Sequence, residues 1–326
     1  METIGDVVLR KLTAENLAAL GLLLSSSVIA ALVMYVRSSG SASLRGFVSF
    51  AFPREILNHR SARADFLFWI TRKMVMPIVL LPAVLAVVIT VGYGVHLALN
   101  SLFGPDLHGS GDASWETLFF FTVSMLLAYD LSYYIYHYAQ HRFPVLWELH
   151  KVHHSAEVMV GITKDRVHPL DDIMNRVWDG FIVGTVYGVW LFFALDPVEV
   201  TIFGINVYVM RNILMMDFVR HTHLKVSFGR LGNAIVLCPH YHQLHHSMAP
   251  EHHDKNFGLM LPIWDRLFGT LVIPKPGESF NFGLSDGASH EYQSLAGLYL
   301  LPLRRMAARI WPRRNAAMRL PVSGAP

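Results

Sequence analysis

Histidine is the residue type in this chain whose number and spacing point most directly to chemistry. The sequence has 18 histidines, and 14 of them lie between His137 and His253. Eight form one H-x3-H motif and two H-x2-H-H motifs: His137, His141, His150, His153, His154, His242, His245 and His246. Residues three or four apart on a helix project from one face, and neutral imidazole is the commonest metal ligand. The motifs therefore predict two metal ions with about four imidazole nitrogens each.

Other uses of these histidines explain the pattern less well. Burying eight imidazoles without partners would cost roughly a few kcal/mol each. The single cysteine, Cys238, excludes a disulfide scaffold and a Cys-rich metal site. A membrane zinc hydrolase or a metal transporter would use the same imidazoles. Hydrolysis is disfavoured because the sequence lacks H-E-x-x-H with its general-base glutamate, and transport because the histidines follow the apolar segments instead of lining several of them.

The elements that position the histidines are predicted to be membrane helices. Hydrophobic residues make up 53% of the chain and charged residues only 16%, and the mean hydropathy is +0.37. Spans of about 20 apolar residues are predicted at 17–36, 74–99, 118–135, 181–195 and 201–218. The last two are joined at Asp196-Pro197 and form either two short spans or a re-entrant hairpin. A net charge of +3 is too small and too dispersed to indicate nucleic-acid binding.

Loop charges predict the orientation of these spans. The segment between the first two spans carries seven Lys or Arg residues, whereas residues 100–116 carry none. The positive-inside rule therefore places the first loop in the cytoplasm. Counting onward, the histidine motifs and the basic C-terminus face the cytoplasm too. The first span is expected to be a retained anchor, since it is too long for a signal peptide and lacks a cleavage site.

These observations predict an all-α fold, an integral membrane helical bundle with a cytoplasmic helical cap that holds a histidine-rich dimetal site. We divide the chain into a transmembrane and interfacial region at 1–115, a histidine-box catalytic domain at 116–275 and a basic cytoplasmic tail at 276–326. Gly180, Gly184 and Gly188 lie four residues apart within the catalytic domain. They suit close helix packing, with a path for a lipid chain as the alternative.

Two aspartates are candidates for orienting the imidazoles. Asp130 lies inside the third predicted span, where a carboxylate is costly and usually functional. It precedes His137 by about two helical turns, so we expect it to accept an imidazole N–H, with a helix-packing hydrogen bond as the alternative. Asp265 is expected either to orient a ligand or to cap a helix.

The motifs and their flanking residues resemble the fatty acid hydroxylase and sterol desaturase superfamily of membrane histidine-box di-iron oxygenases. The flanks are Asp130-Leu-Ser-Tyr-Tyr-Ile-Tyr before the first motif, Asp254-Lys-Asn-Phe-Gly after the third, and the run from Ile263 to Thr270. The resemblance covers residues 118–274. The eight-residue gap between His141 and His150 and the pair His221-Thr222 are similar to the alkylglycerol monooxygenase branch.

The resemblance implies a set of site residues and cofactors. The eight motif histidines would be metal ligands, and His221 a ninth. His168 and His223 are further candidates. His168 either lines the site or is structural, and His223 either supports a metal ligand or binds the metal itself. His240, His252 and His253 lie outside the motif spacing. The implied cofactors are two non-haem iron ions, for which zinc can substitute in purified protein.

The resemblance also implies a reaction and partners. The reaction would be O2-dependent hydroxylation of a C–H bond of a lipid drawn from the bilayer, with desaturation by the same site as the alternative. The lipid, whether a fatty acyl chain, sterol, ether lipid or carotenoid, is left open. The sequence shows no motif of a fused reductase, so we expect a separate electron donor, similar to ferredoxin or to cytochrome b5 with its reductase.

Overall fold

The regular elements among the described residues are helices, apart from one two-residue ladder. The structure is a computed structural model that describes residues 21, 24–39, 43–105, 114–193, 201–202, 205–206, 217–275 and 278–311. The α-helices are α1 (Leu24–Ser39), α2 (Leu44–Ala51), α3 (Arg54–Leu57), α4 (Arg60–Phe103), α5 (Trp115–Arg142), α6 (Pro144–His154), α7 (Pro169–Phe193), α8 (Asp217–Arg220), α9 (Gly229–Ile235), α10 (Pro239–His245), α11 (Ile263–Leu267) and α12 (Leu295–Ile310). Short 3-10 helices lie at Gly161–Asp165, Pro250–His252 and Ala288–Tyr292, and strands β1 (Thr201–Ile202) and β2 (Ile205–Asn206) pair antiparallel.

Two of the described helices are long and apolar enough to cross a membrane. They are α4, through its segment Ala86–Phe103, and α5. They contain the predicted second and third spans. Helix α1 and the segment Leu44–Leu57 are bent by 110° and would count as a third span only if taken together. The described residues therefore give two or three candidate spans, not five.

The predicted fourth and fifth spans have different outcomes. Residues 181–193 are helical as part of α7, but α7 is not among the helices that reach the apolarity of a span over their described residues. Most of 201–218 lies outside the described residues. Its first residues form β1 and β2 instead of the expected helix.

Helices α4 and α7 pack closely through glycines. A Cβ added at Gly188 would lie 2.3 Å from the carbonyl oxygen of Gly92, and one added at Gly184 would lie 3.0 Å from that of Val88. At Gly180 an added Cβ would lie 2.8 Å from the Val87 side chain. The small residues let the two backbones approach, so the glycine spacing serves helix packing, as expected.

Helix α6 is held between α5 and the C-terminal helix α12. Its Val152 is fully buried with Phe68 of α4 and Leu298 of α12. Beside this cluster, the Arg166 guanidinium pairs with Asp65 at 2.6 Å, and both side chains are fully buried. Arg166 also donates to the carbonyl oxygen of Val152 at 2.9 Å. These contacts fix the helix that carries three of the motif histidines.

Candidate metal centre

Nine buried histidines meet in two neighbouring groups. Group A consists of His137, His141, His150, His154 and His245, and group B of His153, His221, His242 and His246. Within each group, one ring nitrogen of every member lies within 4.8 Å of those of the others. The rings of His154 and His246 stack at 4.5 Å between centroids and join the groups. The structure thus brings together the nine residues that were predicted as ligands, and their role as ligands remains a prediction.

These histidines lie at or next to the C-terminal ends of helices. His137 and His141 lie one turn apart in the last two turns of α5. Helices α6 and α10 each begin with a proline at the first helical position, where the missing N–H costs nothing and the fixed φ suits the helix. Each of these short helices then carries one H-x2-H-H motif at its end, and His221 follows α8.

The two adjacent histidines at the end of each H-x2-H-H motif belong to different groups. His154 belongs to group A and His153 to group B, while His245 belongs to group A and His246 to group B. Neighbouring residues on a helix project about 100° apart, so α6 and α10 lie between the groups and supply both. The groups contain five and four imidazoles, which is close to the expected four nitrogens per ion, although which of them bind remains a prediction.

The nitrogens of group B have the arrangement that a cation requires. The Nε2 atoms of His242 and His221 lie 2.8 Å apart, those of His246 and His242 3.1 Å, and those of His221 and His153 3.3 Å. A ring nitrogen of a neutral imidazole either donates or accepts, so four converging Nε2 atoms cannot all satisfy one another. A bound divalent metal, with bonds of about 2.0–2.1 Å to nitrogen, satisfies them together. Group B therefore fits a metal ion.

Group A fits a metal ion on different grounds. All five of its Nε2 atoms are buried and have no hydrogen-bond partner among the described residues: those of His137, His141, His150, His154 and His245. The opposite nitrogens of two of these rings are held by backbone. Nδ1 of His137 donates to the Phe257 carbonyl at 2.9 Å, and Nδ1 of His245 donates to that of Lys255 at 2.7 Å. Such contacts fix the tautomer that leaves Nε2 available for a metal.

Burial keeps the imidazoles neutral. Desolvation lowers the pKa of His154 well below its ordinary value, and neighbouring imidazoles, His245 first among them, lower it further. The pKa values of His153 and His246 are lowered well below the ordinary range for the same two reasons. The pKa of His242 is likewise lowered well below that range, by burial first, then by the Arg220 guanidinium and then by neighbouring imidazoles. Burial lowers the pKa of His245 to about 3, against the opposing hydrogen bond to Lys255. Neutral rings are the form that binds metals.

Asp130 acts on a loop and not on an imidazole. Its carboxylate accepts hydrogen bonds from the backbone N–H groups of Met260 at 2.8 Å and Leu261 at 3.1 Å, and from Trp264 Nε1 at 2.8 Å. The expected contact with a ligand imidazole is therefore wrong. The loop following the third motif provides the partners instead, because it folds back over the buried middle of α5.

Asp265 holds the same loop from its other side. It accepts from the N–H groups of Phe257 at 2.9 Å and Gly258 at 2.8 Å, and from Thr270 Oγ1 at 2.6 Å. Phe257 is the residue whose carbonyl accepts from His137. Of its two expected roles, the structure favours orientation of a ligand, exerted through the backbone of this loop.

The other histidines that were candidates lie outside both groups. His168 donates through Nε2 to the Tyr299 carbonyl at 3.0 Å, and its Nδ1 accepts from Leu170 N–H at 3.2 Å. His223 donates to the Phe50 carbonyl at 2.8 Å. These contacts make His168 structural and connect His223 to the end of α2. His240, His252 and His253 are likewise absent from the two groups.

A cavity opens beside group A. Three of its imidazoles, those of His141, His154 and His245, line the cavity together with Trp147. The rest of its lining is mostly polar and includes Ser247 and Asp286. Group A is therefore reachable by a small molecule, although each of its imidazoles is buried.

Two carboxylates beside group A were missed by sequence reasoning. Asp254 Oδ1 lies 3.5 Å from His141 Nδ1, and Asp171 Oδ2 lies 3.6 Å from His150 Nδ1. Asp254 belongs to a run quoted for the family resemblance, so that run contained a signal. Asp171 lies in α7, whereas His150 lies in α6. No spacing rule in the sequence connects the two residues.

Comparison with known proteins finds a family similarity over this site. Residues 122–270 match the fatty acid hydroxylase family model. The predicted resemblance to this superfamily is confirmed over these residues. The matched segment contains all nine grouped histidines and lies inside the predicted catalytic domain at 116–275, whose boundaries remain a prediction. No solved structure matches the chain.

Three curated relatives have hydroxylase or monooxygenase names. An alkylglycerol monooxygenase of Caenorhabditis elegans is 28% identical over 53% of this chain and 30% of its own length. An ornithine lipid hydroxylase of Rhizobium tropici is 25% identical over 58% of this chain and 50% of its own length. A human cholesterol 25-hydroxylase is 27% identical over 45% of this chain and 49% of its own length. The chain thus spans half or less of the length of each of these three relatives.

Proposed function

We propose that this chain is a membrane-bound non-haem di-iron oxygenase that hydroxylates a C–H bond of a lipid. One iron ion would be held by group A and the other by group B. The observation that carries the proposal is the convergence of nine buried imidazoles on two centres inside a segment that matches the fatty acid hydroxylase family. Imidazole suits iron as well as zinc, and the family and the named relatives favour iron and an oxidoreductase.

The bound iron pair would supply O2 activation and the oxidising power to cleave an unactivated C–H bond. In the balanced reaction, a lipid C–H group, O2, two electrons and two protons give the C–OH group and one water. The residues of the chain orient the imidazoles and hold the surrounding loop. Phe257 and Lys255 carbonyls fix two rings of group A, and Asp130 and Asp265 hold the loop that carries Phe257. The cavity beside His141, His154 and His245 gives access to group A.

The substrate would be a lipid that reaches the site from the bilayer. Group A contains two residues from the end of α5, one of the two helices apolar enough to cross a membrane. The same helix exposes large apolar side chains such as Phe119, Phe120 and Leu127. A lipid lying along α5 would have one end beside the imidazoles. The relatives are named for an alkylglycerol, an ornithine lipid and cholesterol, which supports a lipid and leaves its class open.

We further propose that the metal centre and the C-terminus face the cytoplasm and that a separate protein delivers the electrons. The positive charges of the first loop support this orientation. A ferredoxin-like or cytochrome b5-like donor with its reductase would reach the centre from that side.

Comparative lipid analysis tests the proposed activity. Cells that produce the chain should contain a lipid with one additional oxygen atom, which should disappear with His245→Ala. His290→Ala is the matched control, because His290 is exposed, belongs to neither histidine group and donates through Nδ1 to the Gly287 carbonyl. A product with two fewer hydrogen atoms would replace hydroxylation with desaturation. Purified protein that retains only zinc when iron is abundant, and consumes no O2 with any lipid, would exclude the oxygenase and favour a zinc enzyme.

A further inference from the structure

Asp171 is a buried carboxylate with an unusual set of neighbours. It lies in the first turn of α7 and is 1% exposed. The side-chain amide of Gln140 donates to its two oxygens at 2.7 and 2.8 Å, and the Tyr136 hydroxyl donates to Oδ1 at 3.0 Å. Both donors are neutral and both belong to α5. A buried carboxylate is costly unless it is both hydrogen-bonded and paired with a charged group. Because the two donors of Asp171 are neutral, we expect it to have a further partner that is charged or polarised.

His150 of group A lies beside that carboxylate. Its Nδ1 is 3.6 Å from Asp171 Oδ2, a distance longer than a hydrogen bond but within range of a charge interaction. The ring is 5% exposed, and neither of its nitrogens has a hydrogen-bond partner among the residues described. A metal on Nε2 would leave the only ring proton on Nδ1, directed at Asp171. It would also place positive charge on the ring, which draws the two groups together.

Asp171 differs from the carboxylate beside His141. Asp254 lies 3.5 Å from His141 Nδ1 but also 3.4 Å from the Arg142 guanidinium, so its charge is shared with an arginine. The side-chain donors to Asp171 are an amide and a hydroxyl, which are both neutral. More of its charge therefore remains for the imidazole.

We propose that Asp171 is a positioning residue for the metal at group A: it accepts the Nδ1 proton of His150 and so presents Nε2 to the ion. The inference rests on the proposed dimetal centre and adds an unassigned residue to it. A carboxylate on the outer nitrogen of a metal-binding histidine orients the ring and strengthens its bond to the metal, and loss of such a partner typically weakens metal binding about 10–100-fold.

Asp172 provides a matched control. It occupies the same first turn of α7 and is also buried, at 8% exposure. Its carboxylate pairs with the guanidinium groups of Arg72 and Arg176, not with an imidazole. Both aspartates lie near the positive end of the α7 dipole. An effect confined to Asp171→Asn therefore points to the contact with His150 and not to the helix terminus.

Release of iron from the purified full-length chain tests the proposal. Wild type, Asp171→Asn and Asp172→Asn are loaded with Fe²⁺ in detergent, and the release of each ion to an excess of chelator is followed in time. We expect one of the two ions to leave about 10–100-fold faster from Asp171→Asn, while the other leaves as in wild type. In Asp172→Asn both ions should be released at wild-type rates. The Mössbauer spectrum of ⁵⁷Fe should change for one iron only in Asp171→Asn.

The outcomes separate the two levels of the inference. Wild-type protein that binds no iron would overturn the proposed function itself. Wild-type protein with two ions whose release is unchanged by Asp171→Asn, or accelerated equally by Asp172→Asn, would overturn only the role of Asp171. If Asp171→Asn does not fold, Tyr136→Phe provides the second variant, because it removes one donor that holds the carboxylate. It should accelerate release of one ion by a smaller factor, and no change would count against the proposal.

Discussion

Replacement of Asp130 by asparagine should destabilise the whole catalytic segment and not only its metal centre. The carboxylate accepts three hydrogen bonds while it is 1% exposed. An asparagine oxygen in the position of Oδ1 keeps the bond from Met260, but its NH2 group then faces Leu261 N–H and Trp264 Nε1–H, which are both donors. Two bonds to a charged group are lost, at about 1.5–3 kcal/mol each. The expected loss in the free energy of unfolding is therefore about 3–6 kcal/mol.

A graded comparison makes the cause of this loss measurable. Trp264→Phe removes only the indole N–H, one of the three donors to Asp130, and should cost about 1.5–3 kcal/mol, as expected for one hydrogen bond to a charged group. Thermal unfolding in detergent, followed by circular dichroism with iron content measured in parallel, should show a smaller effect for Trp264→Phe than for Asp130→Asn. Both variants should lose iron only to the extent that they lose stability. Asp130→Asn protein that unfolds like wild type but contains no iron would refute this reasoning, since Asp130 would then act directly on the metal centre.

Three further predictions concern packing, metal and pH. Gly188→Leu should separate α4 from α7 and lower the unfolding midpoint, whereas Gly94→Ala, where nothing lies within 4 Å of an added Cβ, should leave it nearly unchanged; equal midpoints for the two variants would contradict the close packing. Removal of iron by a chelator should lower the free energy of unfolding by about 2.7 kcal/mol for each bound ion, compared with protein in free iron at 100 times the dissociation constant. An unfolding midpoint that is independent of iron would argue against a metal held by folded elements. In the iron-free chain the pKa of His245 is lowered from 6.5 to about 3, so the unfolded state binds more protons between these values. The contribution of His245 to the free energy of unfolding should therefore be fully present above about pH 6.5 and be lost as the pH decreases toward 3. A urea midpoint that rises on acidification would contradict the burial of a neutral ring.

The composition of the site was predictable because helical periodicity and imidazole chemistry are local properties. The spacing of His137 and His141 determines that both project from one face of α5, and their neutral rings have few uses other than metal binding. The division of His153 from His154, and of His245 from His246, was not predictable. It depends on the rotation of α6 and α10 between two centres, which tertiary packing determines.

The partners of the aspartates depend on contacts between distant parts of the chain. Asp130 meets Met260 across 130 residues, and Asp171 approaches His150 from the start of another helix. Neither contact leaves a periodic signal in the sequence. A related reason applies to the fourth predicted span, which lies in α7 and does not reach the apolarity of a span over its described residues. A hydropathy pattern records apolar length, but the apolar and small residues of α7 include Gly184 and Gly188, which pack against α4 instead of facing lipid.

The number and identity of the metal ions per chain test the central claim most directly. Full-length protein produced with abundant iron, purified in detergent without oxygen and analysed for metal content, should contain two iron ions per chain. Both should be detectable by ⁵⁷Fe Mössbauer spectroscopy, and His154→Ala should weaken the ion at group A more than the ion at group B. One ion per chain, or zinc alone despite abundant iron, would contradict the assignment of groups A and B to a di-iron centre.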